Sequence, residues 1–219
     1  MRRIVVKIAV AILLLALPMM AKSQVFVKLN LPYACIGVIN PQLEFIVGPH
    51  SSVVIDPIYS PWQSVNGKHL HFGILQNEYR CYIKREAQGL YFSIHAGAQL
   101  FDLTRPYPFR NGKLLDWEEG FGRGFGVMVG LGIGYEHRFK ERWVVDAYFA
   151  FDRMWSWYND YNSKGEINMY PAHHKPPMAE PDPFNGSDEW LPSKIGLAIG
   201  YMIFDPQRER RKAEKAKVH

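Results

Sequence analysis

Phe125-Gly126-Val127-Met128-Val129-Gly130-Leu131-Gly132-Ile133-Gly134-Tyr135-Glu136 is the stretch that decides the fold. Every odd position in it is large and apolar, while the even positions are Gly126, Gly130, Gly132 and Gly134 with Met128 and Glu136. A period of two marks a strand with one apolar face. Each glycine would cost a helix about 1 kcal/mol relative to alanine, so glycine at nearly every second position excludes the helical alternative.

Working outward, the same alternation recurs on both sides. Toward the C-terminus, Trp143, Val145, Ala147, Phe149 and Phe151 oppose Val144, Asp146, Tyr148, Ala150 and Asp152. Ile195, Leu197, Ile199, Tyr201 and Ile203 then oppose Lys194, Gly196, Ala198, Gly200 and Met202. Toward the N-terminus, Phe92, Ile94, Ala96, Ala98 and Leu100 oppose Ser93, His95, Gly97 and Gln99. The segment 69–82 is less regular, because an unbroken strand puts Gln76, Glu78 and Arg80 on the face of Leu70, Phe72 and Ile74; this predicts a bulge near Ile74. Three further segments complete a set of eight. Val53, Ile55, Pro57 and Tyr59 oppose Val54, Asp56 and Ile58; Leu43, Phe45 and Val47 oppose Gln42, Glu44 and Ile46; Val25, Val27, Leu29 and Leu31 alternate with Phe26, Lys28 and Asn30. Pro57 weakens its segment as a strand interior, since it lacks a ladder donor.

The connections alternate in length. Those at 48–51, 84–89 and 140–142 are short, the others are mostly longer, and 159–189 is much the longest. Short turns at one end and long loops at the other are the habit of outer-membrane barrels. The contrast between faces agrees. One face carries branched and aromatic side chains in nearly every strand, and the other mixes glycine with Lys28, Glu44, Glu78, Arg80, Glu136, Asp146 and Lys194. Soluble barrels keep their bulky apolar residues inside, whereas small and charged residues suit a narrow packed lumen. The expectation is therefore an all-β chain, an eight-stranded antiparallel up-and-down transmembrane β-barrel, with its apolar face turned to outer-membrane lipid. Two aromatic girdles are expected at the interfaces. Tyr135, Phe139, Trp143, Tyr201 and Phe204 fall near the short-turn end, and Tyr59, Trp62, Trp155, Trp157 and Trp190 near the long-loop end.

The N-terminus reads as a secretory signal. Arg2, Arg3 and Lys7 precede an apolar run from 8 to 20, followed by Ala21-Lys22-Ser23, the pattern of a cleaved leader. The run is shorter than the roughly 20 residues of a spanning helix. Cleavage between Ser23 and Gln24 divides the chain into a signal peptide at 1–23, a barrel at 24–204 and a basic periplasmic tail at 205–219. Loss of the leader removes four cations, so the formal charge of +5 falls to about +1. The tail, with Arg208, Arg210, Arg211, Lys212, Lys215 and Lys217, has no interleaved aromatics; it reads as a solvated segment, with no nucleic-acid partner expected. Cys35 and Cys81 fall at opposite ends of the barrel and are expected to be free thiols.

Several short stretches, taken in order, resemble a family of predicted outer-membrane barrels of Bacteroides-type Gram-negative bacteria, catalogued as a domain of unknown function. They are Lys28-Leu29-Asn30-Leu31, Pro41-Gln42-Leu43-Glu44, Ser60-Pro61-Trp62, Gln76-Asn77-Glu78-Tyr79-Arg80, His95-Ala96-Gly97-Ala98-Gln99, Arg142-Trp143 and Lys194-Ile195-Gly196. The resemblance brings no catalytic residues. The last strand is also similar to the signal read by barrel-assembly machinery, through Lys194, Gly196, Ile199 and Tyr201, although the chain runs 15 residues past Phe204.

Lys28, Glu44, Glu78, Arg80, His95, Gln99, Glu136, Asp146 and Lys194 are expected to form a structural polar network that fills the lumen. A small-solute pore is the competing reading. A lipid-modifying enzyme is a weaker one, because Ser93 and His95 share the lumenal face, and His137, though on the apolar face, lies at the short-turn end. His173 and His174, among Glu166, Glu180, Asp182, Asp188 and Glu189, lack chelating spacing, so no metal and no cofactor is expected. Pro181-Asp182-Pro183 and Asn185-Gly186 read as turns. The function expected is non-enzymatic: a barrel presenting long extracellular loops to an envelope or surface partner, with Trp117, Phe121, Trp155, Trp157 and Tyr158 as first contacts.

Overall fold

The computed structural model describes residues 23–85, 87–108, 111–167 and 184–206. Eight antiparallel strands close into a barrel. They are β1 (Val25–Asn30), β2 (Pro41–Gly48), β3 (Ser51–Ser60), β4 (Leu70–Tyr82), β5 (Gly89–Leu103), β8 (Phe121–Phe139), β9 (Trp143–Tyr161) and β10 (Phe184–Phe204). A small hairpin, β6 (Pro106–Pro108) and β7 (Leu115–Trp117), stands between β5 and β8. Each barrel strand pairs with its neighbour in sequence, and β1 closes the ring on β10 from Asn30↔Ala198 to Val25↔Phe204.

Alternation decides which side chains turn in. Phe26, Lys28, Asn30, Gln42, Glu44, Val54, Asp56, Tyr91, His95, Val144, Asp146 and Ala198 are buried. The intervening apolar residues point outward, with Leu100 69%, Leu131 68% and Ile195 67% exposed. Phe26, Val144 and Met202 pack together to close the short-turn end, and the Arg138 guanidinium lies 4.6 Å from the Phe26 ring centre.

The wall is uneven. β1 has 6 residues, about 20 Å of extended chain, whereas β8 has 19, about 60 Å. The short side is β1, β2 and β3; the tall side is β5, β8, β9 and β10. β1 stops at Asn30 because Pro32 supplies no strand donor and suits a first helical turn. A short helix, α1 (Leu31–Cys35), follows, so Leu31 belongs to it rather than to the first strand. Gly37, in the left-handed region at φ +72°, then turns the chain beneath the Trp62 ring, which would lie 2.8 Å from any Cβ there. Trp62 Nε1 donates to the Ile36 carbonyl at 2.9 Å, tying the first two long connections together.

Further expectations are corrected. No bulge breaks β4: its register is continuous against β3 and against β5. Ile74 faces buried Ile58, and Phe72 faces Phe101, so the lumen turns apolar at that height. The longest connection spans 162–183 rather than 159–189, because β9 and β10 pair as far as Asn159↔Phe184. Asn185 and Gly186 are therefore strand residues opposite Tyr158 and Trp157, and Asp188 leaves the acidic loop to pair with Arg153, 2.7 Å away. The expected loop and rim contacts Phe121, Trp155, Trp157 and Tyr158 likewise stand on strands, and Tyr158 points inward and is buried. Pro57 is accommodated where the β2 ladder has a gap, between Leu43↔Ile55 and the single bridge Ile39↔Tyr59. In that register the position opposite it is Pro41, so neither side lacks a partner for a donor it does not have.

Cys35 ends α1 at the long-loop end and Cys81 lies near the short-turn end of β4; both are exposed free thiols. Residues 1–22 and 207–219, which hold most of the expected leader and tail, and His173, His174, Glu180, Asp182 and the expected turn at Pro181-Asp182-Pro183 lie outside the described residues.

Candidate functional site

The lumen is stacked in three layers. The lowest is ionic. Lys28 Nζ lies 2.5 Å from Glu44 Oε2, 2.6 Å from Glu136 Oε2 and 3.0 Å from Asp146 Oδ2. Arg80 Nη1 lies 2.6 Å from Asp146 Oδ2, and its Nε 3.0 Å from Glu78 Oε1. Lys194 bonds Glu78 Oε2 at 3.0 Å and also Asp56. These side chains come from β1, β2, β3, β4, β8, β9 and β10, so one connected network ties nearly the whole ring. Five carboxylates face three cations, and neutral donors and the rim Arg138 share the excess. Tyr91 donates to Asp146 at 2.9 Å, the Tyr82 hydroxyl lies 2.8 Å from Glu44, and Arg138 Nε lies 3.2 Å from Glu136 Oε1. Gln42 donates to Asp56 at 3.2 Å, while Asn40 and Ser52 donate to Asp56 and Glu44.

Glycines at inward positions make room for this layer. A Cβ at Gly134 would sit 2.4 Å from the Tyr91 ring, and one at Gly196 2.3 Å from the Tyr148 ring. Those rings lie flat across neighbouring strands. The Arg80 guanidinium stacks 4.4 Å from Tyr91, and Lys194 Nζ lies 4.9 Å from Tyr148.

The middle layer is a buried pair, His95 with Asp152, braced by Gln76 donating to Asp152 at 3.0 Å. Above it Gln99 Nε2 lies 3.0 Å from Met154 Sδ and 3.5 Å from Ser156 Oγ. The top layer is a cavity of about 510 Å3 on the concave face of the tall wall. Phe101, Leu103, Met154, Tyr158 and Leu191 give it apolar walls, and Arg105, Glu118, Asp160 and Glu189 give it charge. The β6–β7 hairpin stands beside it. Asn111 donates to Asp116 at 2.8 Å, and this bond, with Lys113 at 3.4 Å, holds the Asp116 carboxyl below its ordinary range.

Seven of the nine expected network residues thus meet in one cluster. His95 and Gln99 do not join it; they occupy the layers above. Asp56, Asp152, Gln42, Tyr82, Tyr91 and Tyr148 are part of the polar lumen but lie outside the expected network, although each stands at an inward position of its strand and could have been found from that parity; Asn40, just ahead of β2, joins them through its bond to Asp56. Of the four residues resembling an assembly signal, Lys194 is buried in the network and Gly196 sits under Tyr148, while Ile199 and Tyr201 point outward. Tyr201 accepts a hydrogen bond from Arg142 at 2.9 Å and stacks edge-on against Trp143. Ser23 is buried, and the Gln24 carbonyl accepts from Ile46 N at 3.0 Å. Ser93 and His95 both lie within the lumen. Among the described residues no group of three or more His, Cys, Asp or Glu is placed to hold a metal.

Fold and lumen together define a class, the small closed barrel whose lower interior is filled by its own side chains. Within that class the chain belongs to the family described as protein of unknown function (DUF3575), whose model matches residues 8–203. No curated protein and no solved structure matches the chain.

Proposed function

We propose that this chain is an exported outer-membrane barrel that stands in lipid by its outward face and offers its long-loop end to envelope or surface partners. The observation that carries the reading is the outward apolar band. Phe92, Ile94, Leu100, Leu131, Ile133, Ile195 and Ile203, on β5, β8 and β10, are each more than two-fifths exposed. Leaving such a side chain in water forfeits about 1.5–3 kcal/mol relative to burial, and soluble monomers rarely expose apolar patches beyond a few hundred Å2. Lipid removes that penalty, and closure of the ring meets the demand that no backbone donor face hydrocarbon unpaired. Outward aromatics support it at both heights, Tyr135 and Trp143 toward the short turns, Trp157 and Trp190 toward the long loops.

The interaction role rests on the layering. With the ionic layer occupying the lower lumen, the surface left to vary is the long-loop end, where Trp117 and the β6–β7 hairpin stand and where the chain leaves β9 and enters β10. Membrane placement is tested by flotation with liposomes and by a heat-dependent gel shift: co-flotation of a heat-modifiable species is expected, and recovery as a soluble monomer overturns the placement. The role is tested by photocrosslinking from position 117 in intact cells against a control at position 137. Specific adducts from 117, lost together with an envelope phenotype on deleting 162–183, are expected. Stable single-channel steps in planar bilayers would replace this reading with a pore, and altered lipid A masses on deletion of the gene would replace it with a lipid-modifying enzyme.

A further inference from the structure

Inward alternation brings charge into the lower lumen, but above Gln99 the same parity delivers Phe101 and Leu103 from β5, Met154 and Tyr158 from β9, and Leu191 from β10. They enclose about 510 Å3, within the roughly 300–1,000 Å3 of small-molecule sites. The floor is closed by Gln99 against Met154 and Ser156, with the His95–Asp152 pair beneath. A blind cavity holds a ligand rather than passing it.

Its charge is unequal. The lining carries one guanidinium, Arg105, against three carboxylates, Glu118, Asp160 and Glu189. Arg105 is already engaged, with Nη1 3.5 Å from Glu189 and Nη2 donating to the Tyr158 hydroxyl at 3.2 Å. Glu118 and Asp160 also line a smaller annex with Glu119, which extends the acidic side of the mouth. Apolar walls lower the local dielectric and focus that negative potential into the cavity. An anion entering it is repelled; a cation with an apolar body is attracted by both parts of the lining.

We infer that this cavity is a binding site for a small amphipathic amine, its aromatic or aliphatic body against Phe101, Leu103, Met154 and Leu191 and its ammonium group at Glu118 and Asp160. The site is built from the barrel interior and does not depend on the membrane placement proposed above. Its test is accordingly made on purified full-length protein in detergent that shows the heat-dependent gel shift, so that failure here is separate from failure of the placement.

Calorimetric titration with tryptamine, indole-3-propionate and tryptophol, each corrected for empty micelles, compares one indole body carrying a cation, an anion and a neutral group. Tryptamine is expected to bind at one site at least tenfold more tightly than the carboxylate, with the alcohol between them. Leu103→Trp fills the cavity and is expected to abolish binding of all three. The charge-reversed pair Glu118→Lys with Asp160→Lys is expected to invert the order, so that the carboxylate binds more tightly than the amine. A folding defect cannot produce that inversion. Equal affinity for amine and carboxylate, absence of saturable tryptamine binding, or an order unchanged by the charge reversal would each overturn the assignment.

Discussion

The lower lumen and the mouth both take inward positions of the barrel strands, yet one is packed with paired charge and the other is a hollow with apolar walls and a few charges at its edge. The difference follows from how many strands surround each. At the height of Lys28 all eight strands contribute, the bore is narrow, and long charged side chains from opposite walls reach one another. Above Asn30 the short side ends, the bore opens toward β5, β8, β9 and β10, and the one cation of the cavity lining, Arg105, reaches Glu189 only at 3.5 Å. Densely packed charge is tolerable in a barrel interior where geometry closes the network; above it apolar walls and a cavity remain.

That contrast can be broken most forcefully from below. Arg80→Met leaves Glu78 and Asp146 buried without their guanidinium, and the loss of one partner from such a network costs about 3–5 kcal/mol. The midpoint of urea unfolding, followed by the gel shift, should fall accordingly; an unchanged midpoint would show that the ionic layer is not what ties the ring. Next in size are the glycines under the tyrosine rings. Gly196→Leu drives side-chain atoms into Tyr148, and overpacking of this kind costs about 1–3 kcal/mol. Adding Tyr148→Ala should recover part of that loss, and a double variant no better than the single one would refute the close packing.

The mouth should respond more weakly. Phe101→Ala removes part of an incompletely buried side chain, so its stability loss should stay below about 1.5 kcal/mol, while the same variant weakens tryptamine binding in the calorimetric assay. Smallest of all, Arg153→Ala breaks an ion pair with Asp188 on the outer surface of the tall wall, with both side chains near half exposed. No measurable change in the unfolding midpoint is expected, because exposed pairs contribute little. Its phenotype, if the membrane placement holds, should appear only in how the barrel sits in lipid.

The alternation of 125–136 and its seven companions was legible because period two survives wherever one face is uniformly apolar. It failed where that condition lapsed. The expected bulge at Ile74 assumed a lumen polar along its whole height, but Leu70, Phe72 and Ile74 turn inward into the apolar mouth, beside Leu103, Phe101 and Gln99. Alternation also understates the length of the strands, for the matching reason on the outside. Above the apolar band the outward positions become Asp102, Arg123, Arg153 and Asp188, which pair across strands as Arg123 with Asp102 at 2.6 Å and Arg153 with Asp188 at 2.7 Å. Such residues carry no apolar rhythm, although the backbone ladder continues beneath them.

For the candidate site, parity alone named most of the ionic layer, because a charge at an inward position of a closed barrel has nowhere else to go. It could not separate His95 and Gln99 from that layer, since the height of a residue depends on strand register and stagger. Sequence by itself determined the strand number, the inward and outward faces and the chemistry each face carries, all of which follow from local alternation. Only the tertiary structure decided which charges meet, that Tyr91 and Tyr148 lie over Gly134 and Gly196, and that one wall rises above the other to leave a cavity. Those features depend on contacts between strands far apart in the chain, and a period of two holds no record of them.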